Sequence, residues 1–150
     1  MTNLNCAELQ VLLVDDHMIM REHVRANLAV MGFKNIDQAA TAQEAEEKMA
    51  AKRYDILFLD WVMPGKSGYM LLQKYREDAS YNDVAMVMVT SQTEERHMVE
   101  AMKAGATAYI VKPFQEPELH ATIEVALHKV ATERESRLRQ RLLEQTLSAM

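Results

Sequence analysis

The sequence predicts an α/β fold, in which a parallel β-sheet carries helices on both of its faces. Short apolar segments alternate with longer segments in which apolar residues recur every three or four positions. The apolar segments end at polar or turn residues, as strands buried on both sides do. Five strands and five helices alternate in this way along 150 residues, which is about the length of one domain.

The first strand is predicted at residues 11–14, an unbroken apolar run that ends at Asp15. A helix follows, because apolar residues recur at helical spacing between positions 19 and 31, and Gly32 can cap its C-terminal end. The second strand, at 35–39, is weakly marked. Thr41 and Glu44 have the spacing of a capping box, which predicts a helix from there to about residue 51.

The second half of the chain continues the alternation. The third strand is predicted at 55–60, followed by a loop at 61–67 that contains Pro64 and Gly65. The next elements are predicted as helix, strand, helix and strand at residues 68–78, 84–90, 93–104 and 107–111. A last helix is predicted to begin near Pro117.

The last helix is longer than the fold requires. Residues 118–150 contain no Gly or Pro, and a continuous helix there would be about 50 Å long. We therefore expect a compact domain at 9–130 and a helical extension at 131–150. The extension contains an apolar stripe formed by Leu138, Leu142, Leu143, Leu147 and Met150. Homodimerisation, packing against the same domain and a link to an output domain remain open alternatives.

Composition excludes several classes of protein. No apolar run approaches the roughly 18 residues that a membrane span needs, and the first residues do not resemble a signal peptide. The net charge of −5 disfavours direct binding of nucleic acid by the domain. One cysteine, Cys6, cannot form an internal disulfide. We expect a cytoplasmic protein that contacts no membrane and whose domain at 9–130 does not itself bind nucleic acid.

Polar residues follow four of the predicted strands. They are Asp15, Asp16, Asp60, Thr90 and Lys112. Ligands of open parallel sheets bind outside the carboxyl ends of the strands, so these side chains are expected to meet in one crevice. Three carboxylates within about 5 Å would repel by roughly 3 kcal/mol per pair, more than one lysine can offset. Oxygen ligands such as these carboxylates suit Mg²⁺. With Mg²⁺ bound, the Asp60 carboxylate would be the group left to act as the nucleophile in phosphoryl transfer.

Four motifs resemble the receiver domain of two-component response regulators, and the middle segments resemble its chemotaxis members. The motifs are residues 12–16 (LLVDD), 59–65 (LDWVMPG), 88–91 (MVTS) and 104–114 (AGATAYIVKPF). The resemblance covers about residues 9–130. It implies a flavodoxin-like, doubly wound sheet of five parallel strands in the order 2-1-3-4-5 with five helices.

The resemblance also implies a role for each matching residue. Asp60 would accept the phosphoryl group. Asp15, Asp16 and Asp60 would bind Mg²⁺ together with the backbone carbonyl of Val62. Lys112 would pair with the phosphoryl oxygens, and a cis peptide bond would join it to Pro113.

Thr90 and Tyr109 would form the switch of such a domain. Thr90 would hydrogen-bond the phosphoryl group, and Tyr109 would follow it inward and change the surface of the fourth helix, fifth strand and fifth helix. Val62 and Gln92 occupy two positions that resemble those influencing dephosphorylation. Val62 departs from the polar residue often found near the attacking water, so we expect the phosphoryl group to last longer than it would in a Val62→Asn variant.

These observations predict a phosphorylation-switched signalling module that assists only its own phosphorylation and dephosphorylation. Its partners would be a sensor histidine kinase or phosphotransfer protein and a downstream target protein. An alternative is the N-terminal receiver of a larger regulator with an enzymatic or DNA-binding output domain. A phosphohydrolase is disfavoured, because Asp60 lacks a second acid two residues later that could protonate a leaving group.

Overall fold

The computed structural model describes residues 6–91 and 95–149. Its five strands are β1 (Gln10–Val14), β2 (Asn35–Ala39), β3 (Ile56–Asp60), β4 (Ala85–Thr90) and β5 (Ala108–Val111). Its five helices are α1 (Met18–Val30), α2 (Ala42–Ala51), α3 (Gly68–Arg76), α4 (Glu95–Ala104) and α5 (Glu116–Ala149). All paired strands are parallel, in the order β2-β1-β3-β4-β5, which confirms the predicted architecture.

The core has two layers, one on each face of the sheet. Alternate strand residues face opposite sides, so Val87 and Val89 of β4 pack with α1 and α5, whereas Met86 and Met88 pack with α2, α3 and α4. Because both faces are covered, β1, β3 and β4 are apolar along most of their length. Among the residues described, no helix is long and apolar enough to cross a membrane.

Local signals explain where several helices begin and end. Thr41 Oγ1 accepts a hydrogen bond of 3.1 Å from Glu44 N, and the Glu44 carboxylate accepts one of 2.8 Å from Ala40 N. Gly32 has a φ of +106°, which suits the end of α1. The expected end of α3 at residue 78 is wrong by two residues, since α3 ends at Arg76 and a 3₁₀ turn follows at Ala79–Tyr81.

Arg76 connects the end of α3 to two other segments, the loop before β4 and the turn between α4 and β5. Its guanidinium donates hydrogen bonds to the carbonyls of Tyr81, Val84 and Gly105, each at 2.7 Å, and to Thr107 Oγ1 at 2.9 Å. A Cβ atom on Gly105 would lie 2.7 Å from Arg76 Cγ, and the φ of Gly105 is +108°. Gly105 therefore allows the arginine side chain to pass beneath the α4–β5 turn.

Helix α5 continues far beyond the core. Its buried residues are Leu119, Ile123 and Ala126, and nearly all side chains after Val130 are exposed. Arg134 Nε lies 3.8 Å from Asp83 Oδ2, and Arg137 also pairs with Asp83. The first turns of the extension therefore contact the loop before β4, while the rest projects from the domain.

The leucines of the extension lie on two faces of α5, which corrects the expected single stripe. Successive residues of an α-helix are about 100° apart, so Leu138 and Leu142 share one face. Leu143 and Leu147 lie about 140° around the helix from that pair. All four side chains are exposed. The extension thus presents two separate apolar surfaces to solvent.

Candidate phosphoacceptor site

The sheet brings the expected residues to one edge. Asp15 directly follows β1, Asp60 and Thr90 end β3 and β4, and Lys112 directly follows β5. The side chains of Asp15, Asp60 and Thr90 are buried, and Lys112 is half-buried. The Lys112–Pro113 peptide bond is cis. Residues from four parts of the sequence therefore form one crevice beside the carboxyl ends of the strands.

Lys112 joins two of the carboxylates. Its Nζ lies 3.0 Å from Asp15 Oδ2 and 3.2 Å from Asp60 Oδ1. The backbone N–H of Lys112 donates to the carbonyl of Thr90 at 2.8 Å, which fixes the lysine beside the end of β4. The ammonium group is therefore held between the acids by the sheet as well as by its own ion pairs.

The remaining acidic atoms form a cluster suited to a cation. Oxygen atoms of Asp15, Asp16 and Asp60 and a ring nitrogen of His17 all lie within 4.8 Å of one another. Asp15 Oδ1 accepts a hydrogen bond of 2.9 Å from His17 N. Asp16 Oδ1 is covered and lies 3.1 Å from His17 Nδ1 but forms no hydrogen bond. A buried carboxylate oxygen without a hydrogen bond is the kind of atom that a bound cation satisfies.

Burial and charge change the acidity of the site. Burial, and then the negative charge of Asp15, raise the pKa of Asp60 to about 6, although Lys112 acts in the opposite direction. Burial alone would lower the pKa of Lys112. Its hydrogen bond to Asp15 and the charges of Asp60 and Asp15 outweigh burial, so that this pKa is raised. The site therefore keeps a protonated lysine beside a carboxylate that binds protons more tightly than usual.

Close packing fixes the backbone that follows Asp60. The N–H of Trp61 donates to Val89 O, and the carbonyl of Trp61 accepts from Gly68 N, both at 3.2 Å. A Cβ atom on Gly68 would lie 2.1 Å from the carbonyl oxygen of Asp60, so only glycine fits there. The side chain of Val62 is exposed and offers no polar group at the rim of the site.

The two expected switch residues lie on neighbouring strands. Thr90 is buried at the end of β4 and is paired in register with Val111 of β5. Tyr109 is half-buried and paired with Met88, and burial raises the pKa of its phenol. Gln92, the second residue expected to tune dephosphorylation, lies outside the described residues.

Sequence analysis did not identify the aromatic cluster beside the site. Trp61 stacks on Tyr69 of α3 with ring centroids 4.7 Å apart and an angle of 7° between the rings. His97 of α4 meets Trp61 edge-on, with centroids 5.5 Å apart and an angle of 85°. No local sequence pattern connects these three residues, because they lie in a loop and on two separate helices.

The chain is similar to proteins of known family. The sequence profile described as "Response regulator receiver domain" matches residues 11–124. Chemotaxis protein CheY1 of Helicobacter pylori is 33% identical over 120 residues, which span 79% of this chain and 97% of that protein. The phosphate regulon transcriptional regulatory protein PhoB of Pseudomonas aeruginosa is 31% identical over 119 residues, and the match spans only 52% of PhoB.

Solved structures agree with this relationship. Chemotaxis response regulator CheY4 of Vibrio cholerae has a TM-score of 0.73 and 30% identity, covering 79% of this chain and 98% of that chain. NtrX of Brucella abortus has a TM-score of 0.78 and 28% identity, covering 89% of this chain and 30% of NtrX. Receiver domains of this kind are signalling domains of two-component systems. The chain belongs to the response regulator receiver domain family.

Proposed function

We propose that Asp60 accepts a phosphoryl group from a histidine kinase or a phosphotransfer protein. The observation that carries the proposal is the position of Lys112 Nζ, 3.2 Å from Asp60 Oδ1 and 3.0 Å from Asp15 Oδ2, in a crevice lined by three carboxylates. A buried carboxylate beside a fixed ammonium group can attack phosphorus while the positive charge balances the phosphoryl oxygens.

Each residue has a defined part in that reaction. An oxygen of Asp60 forms the new bond to phosphorus as the phosphorus–nitrogen bond of a donor phosphohistidine breaks. Lys112 pairs with the oxygens of the transferred group, and the Thr90 hydroxyl hydrogen-bonds one of them. The backbone around Trp61 is held by Val89 and Gly68, so that the attacking carboxylate stays in place.

The donor set of the crevice fits Mg²⁺. Asp15, Asp16, Asp60 and the backbone carbonyl of Val62 would hold it, and all of these donors are oxygen atoms. The covered Asp16 Oδ1, which forms no hydrogen bond, supports this assignment. When bound, the ion would supply positive charge that Lys112 alone cannot provide against three carboxylates.

We assign donor docking to the apolar side chains around the crevice. Met18 and Ile19 at the start of α1 are 66% and 84% exposed, and Val62 is 59% exposed. Exposed apolar residues next to a reactive group are typical of a surface that a partner protein covers. Ile19→Glu should slow transfer from a phosphohistidine protein but leave transfer from acetyl phosphate unchanged. Val30→Glu, at the exposed far end of α1, is the matched control.

The output of the switch would be a protein-binding surface on α4, β5 and α5. Met98, Met102, Tyr109 and Val125 line a groove of about 370 Å³ there. In our proposal Thr90 moves towards the phosphoryl group, Tyr109 follows, and the shape of this groove changes. A downstream target protein would then bind one form of the groove more tightly than the other.

A second candidate function is the receiver of a larger regulator. The match to NtrX extends over 89% of this chain but only 30% of NtrX, so the matching part of NtrX belongs to a much longer chain. Helix α5 runs on for about 20 residues after Val130 and could lead into an output domain. The same extension could pair two copies of the chain, and the two possibilities are compatible.

Phosphorylation itself is the first test. Incubation with acetyl phosphate and Mg²⁺ should add the mass of one phosphoryl group, detectable by intact mass spectrometry. Asp60→Asn should abolish this gain, whereas Asp78→Asn, which changes an exposed carboxylate far from the crevice, should retain it. Phosphorylation that persists in Asp60→Asn would contradict the proposal. Continuous turnover of small phosphomonoesters would instead support a phosphohydrolase.

A further inference from the structure

The aromatic cluster of Trp61, Tyr69 and His97 connects the phosphoacceptor loop to α4. Trp61 directly follows Asp60, and its ring is packed between Tyr69 of α3 and His97 near the start of α4. The backbone of Trp61 is held by hydrogen bonds to Val89 and Gly68. The indole therefore stays with the sheet, and a displacement of the start of α4 must alter its contact with His97.

His97 is an unusual choice for such a contact. Its Nδ1 atom is covered and has no hydrogen-bond partner among the described residues. An unpaired buried polar atom destabilises the fold, and a purely apolar ring would pack against Trp61 without that cost. The edge-on geometry, with ring centroids 5.5 Å apart, still provides a favourable aromatic contact.

We infer that His97 is a positioning residue. Its edge-on contact with Trp61 holds α4 in the position seen in this structure and so opposes the rearrangement that follows phosphorylation. The inference rests on the proposed function, in which Thr90 at the end of β4 transmits occupancy of the site to the surface formed by α4, β5 and α5. A contact that is lost on switching must reduce the affinity of the site for its ligand, because binding and switching share one equilibrium.

Beryllofluoride, a stable mimic of the phosphoryl group, provides the measurement. Titration calorimetry in Mg²⁺ would compare the wild type with His97→Ala and His97→Phe. Alanine is a good helix former, so α4 should remain folded, and the lost ring contact should tighten binding about threefold to tenfold. Phenylalanine keeps an edge-on ring and lacks the unpaired Nδ1 atom, so His97→Phe should bind beryllofluoride no more tightly than the wild type.

A Trp61→Leu background tests the route of the effect. His97→Ala should no longer tighten binding there, because the ring it contacts is gone. An equal effect in both backgrounds would overturn the inference, as would a His97→Ala variant that binds beryllofluoride with unchanged or weaker affinity. A loss of thermal stability without tighter binding would show that His97 only supports the fold, and would also overturn it.

The experiment separates this inference from the proposed function. If the wild type fails to bind beryllofluoride, or if Asp60→Asn binds it equally well, then the proposed function is wrong. If the wild type binds it through Asp60 and all His97 variants have the same affinity, then only the role of His97 is wrong.

Discussion

Lys112 Nζ lies 3.2 Å from Asp60 Oδ1, although 52 positions separate the two residues. The pair stands at the carboxyl ends of β3 and β5, with β4 between them. The lysine only partly offsets burial and the charge of Asp15, and the pKa of Asp60 therefore reaches about 6. The site therefore disfavours the ionised form of Asp60, and this should lower the free energy of unfolding at neutral pH.

Asp60→Asn should stabilise the metal-free protein near neutral pH. The native state binds a proton on Asp60 more tightly than the unfolded chain does, so the ionised carboxylate destabilises the native state above about pH 6. Asp60→Asn should raise the free energy of unfolding by about 1–3 kcal/mol at pH 7.5. This increase should become smaller between pH 6 and pH 4 and should vanish below pH 4. Urea unfolding with a chelator present at each pH measures it.

The exposed Asp78 gives the control for that experiment. Hydrogen bonds from Ser80 lower the pKa of Asp78, so neutralising it should not stabilise the protein at any pH. If Asp60→Asn stabilises the protein equally at pH 4 and pH 7.5, then the ionised Asp60 carboxylate is not the cause of the stabilisation.

Asp16→Asn should weaken Mg²⁺ binding at least tenfold, because it removes one of the three anionic groups of the cluster. Trp61 is the only tryptophan of the chain and adjoins Asp60, so its fluorescence can report the titration. Asp78→Asn is again a matched charge change away from the crevice. Equal Mg²⁺ affinities in the wild type and Asp16→Asn would remove Asp16 from the proposed ligand set.

Val62→Asn should shorten the lifetime of the phosphoryl group severalfold. Val62 is 59% exposed at the rim of the site and cannot hydrogen-bond an attacking water, whereas an amide at this position can orient one. The decay of phosphorylated protein after removal of acetyl phosphate gives the rate. Val30→Asn changes an equally apolar, exposed residue on α1 and should decay like the wild type. Identical rates for Val62→Asn and the wild type would refute the role of Val62.

The extension of α5 should pair through Leu143 and Leu147 if it forms dimers. Leu143 follows Val125 by about five helical turns and therefore lies on the same side of α5 as the groove beside Tyr109. Light scattering on a sizing column, with Mg²⁺ and with or without beryllofluoride, would give the mass against 17.2 kDa for one chain. A dimer that appears only with beryllofluoride would make phosphorylation the signal for assembly.

Paired substitutions identify the face involved. Glutamate at 143 and 147 should return a dimer to the monomer mass, and glutamate at 138 and 142 should not, because those residues lie about 140° away. The reverse result would place the interface on the other face. If the wild type is monomeric both with and without beryllofluoride, then the extension of α5 does not pair two copies of the chain. It would instead contact a separate partner or lead into a following domain.

Local patterns predicted most of the fold because they depend on neighbouring residues. The apolar run ending at Asp15, the capping pair of Thr41 and Glu44 and the glycine at 32 all matched the elements they indicated. The crevice could be inferred because parallel strands bring their carboxyl ends to one edge. This argument needed only the strand order and the positions of the polar residues.

Contacts between distant side chains could not be predicted in this way. The meeting of Trp61 with His97 depends on how α3 and α4 pack, and the pairing of Arg137 with Asp83 depends on the direction in which α5 leaves the core. Arg76 had no local signal either, since its four acceptors come from two other segments of the chain. The division of the leucine stripe into two faces, by contrast, follows from the spacing of an α-helix alone and could have been predicted from the sequence.

The length of α5 makes it a lever arm. Residues 127–149 form about 34 Å of continuous helix beyond the last fully buried residue, Ala126. A tilt of about 10° where α5 leaves the sheet would displace its far end by about 6 Å. Asp83, paired with Arg134 and Arg137 in the first turns beyond the core, restrains that tilt. A small rearrangement beside Tyr109 could therefore reach a partner at the tip as a movement several times larger.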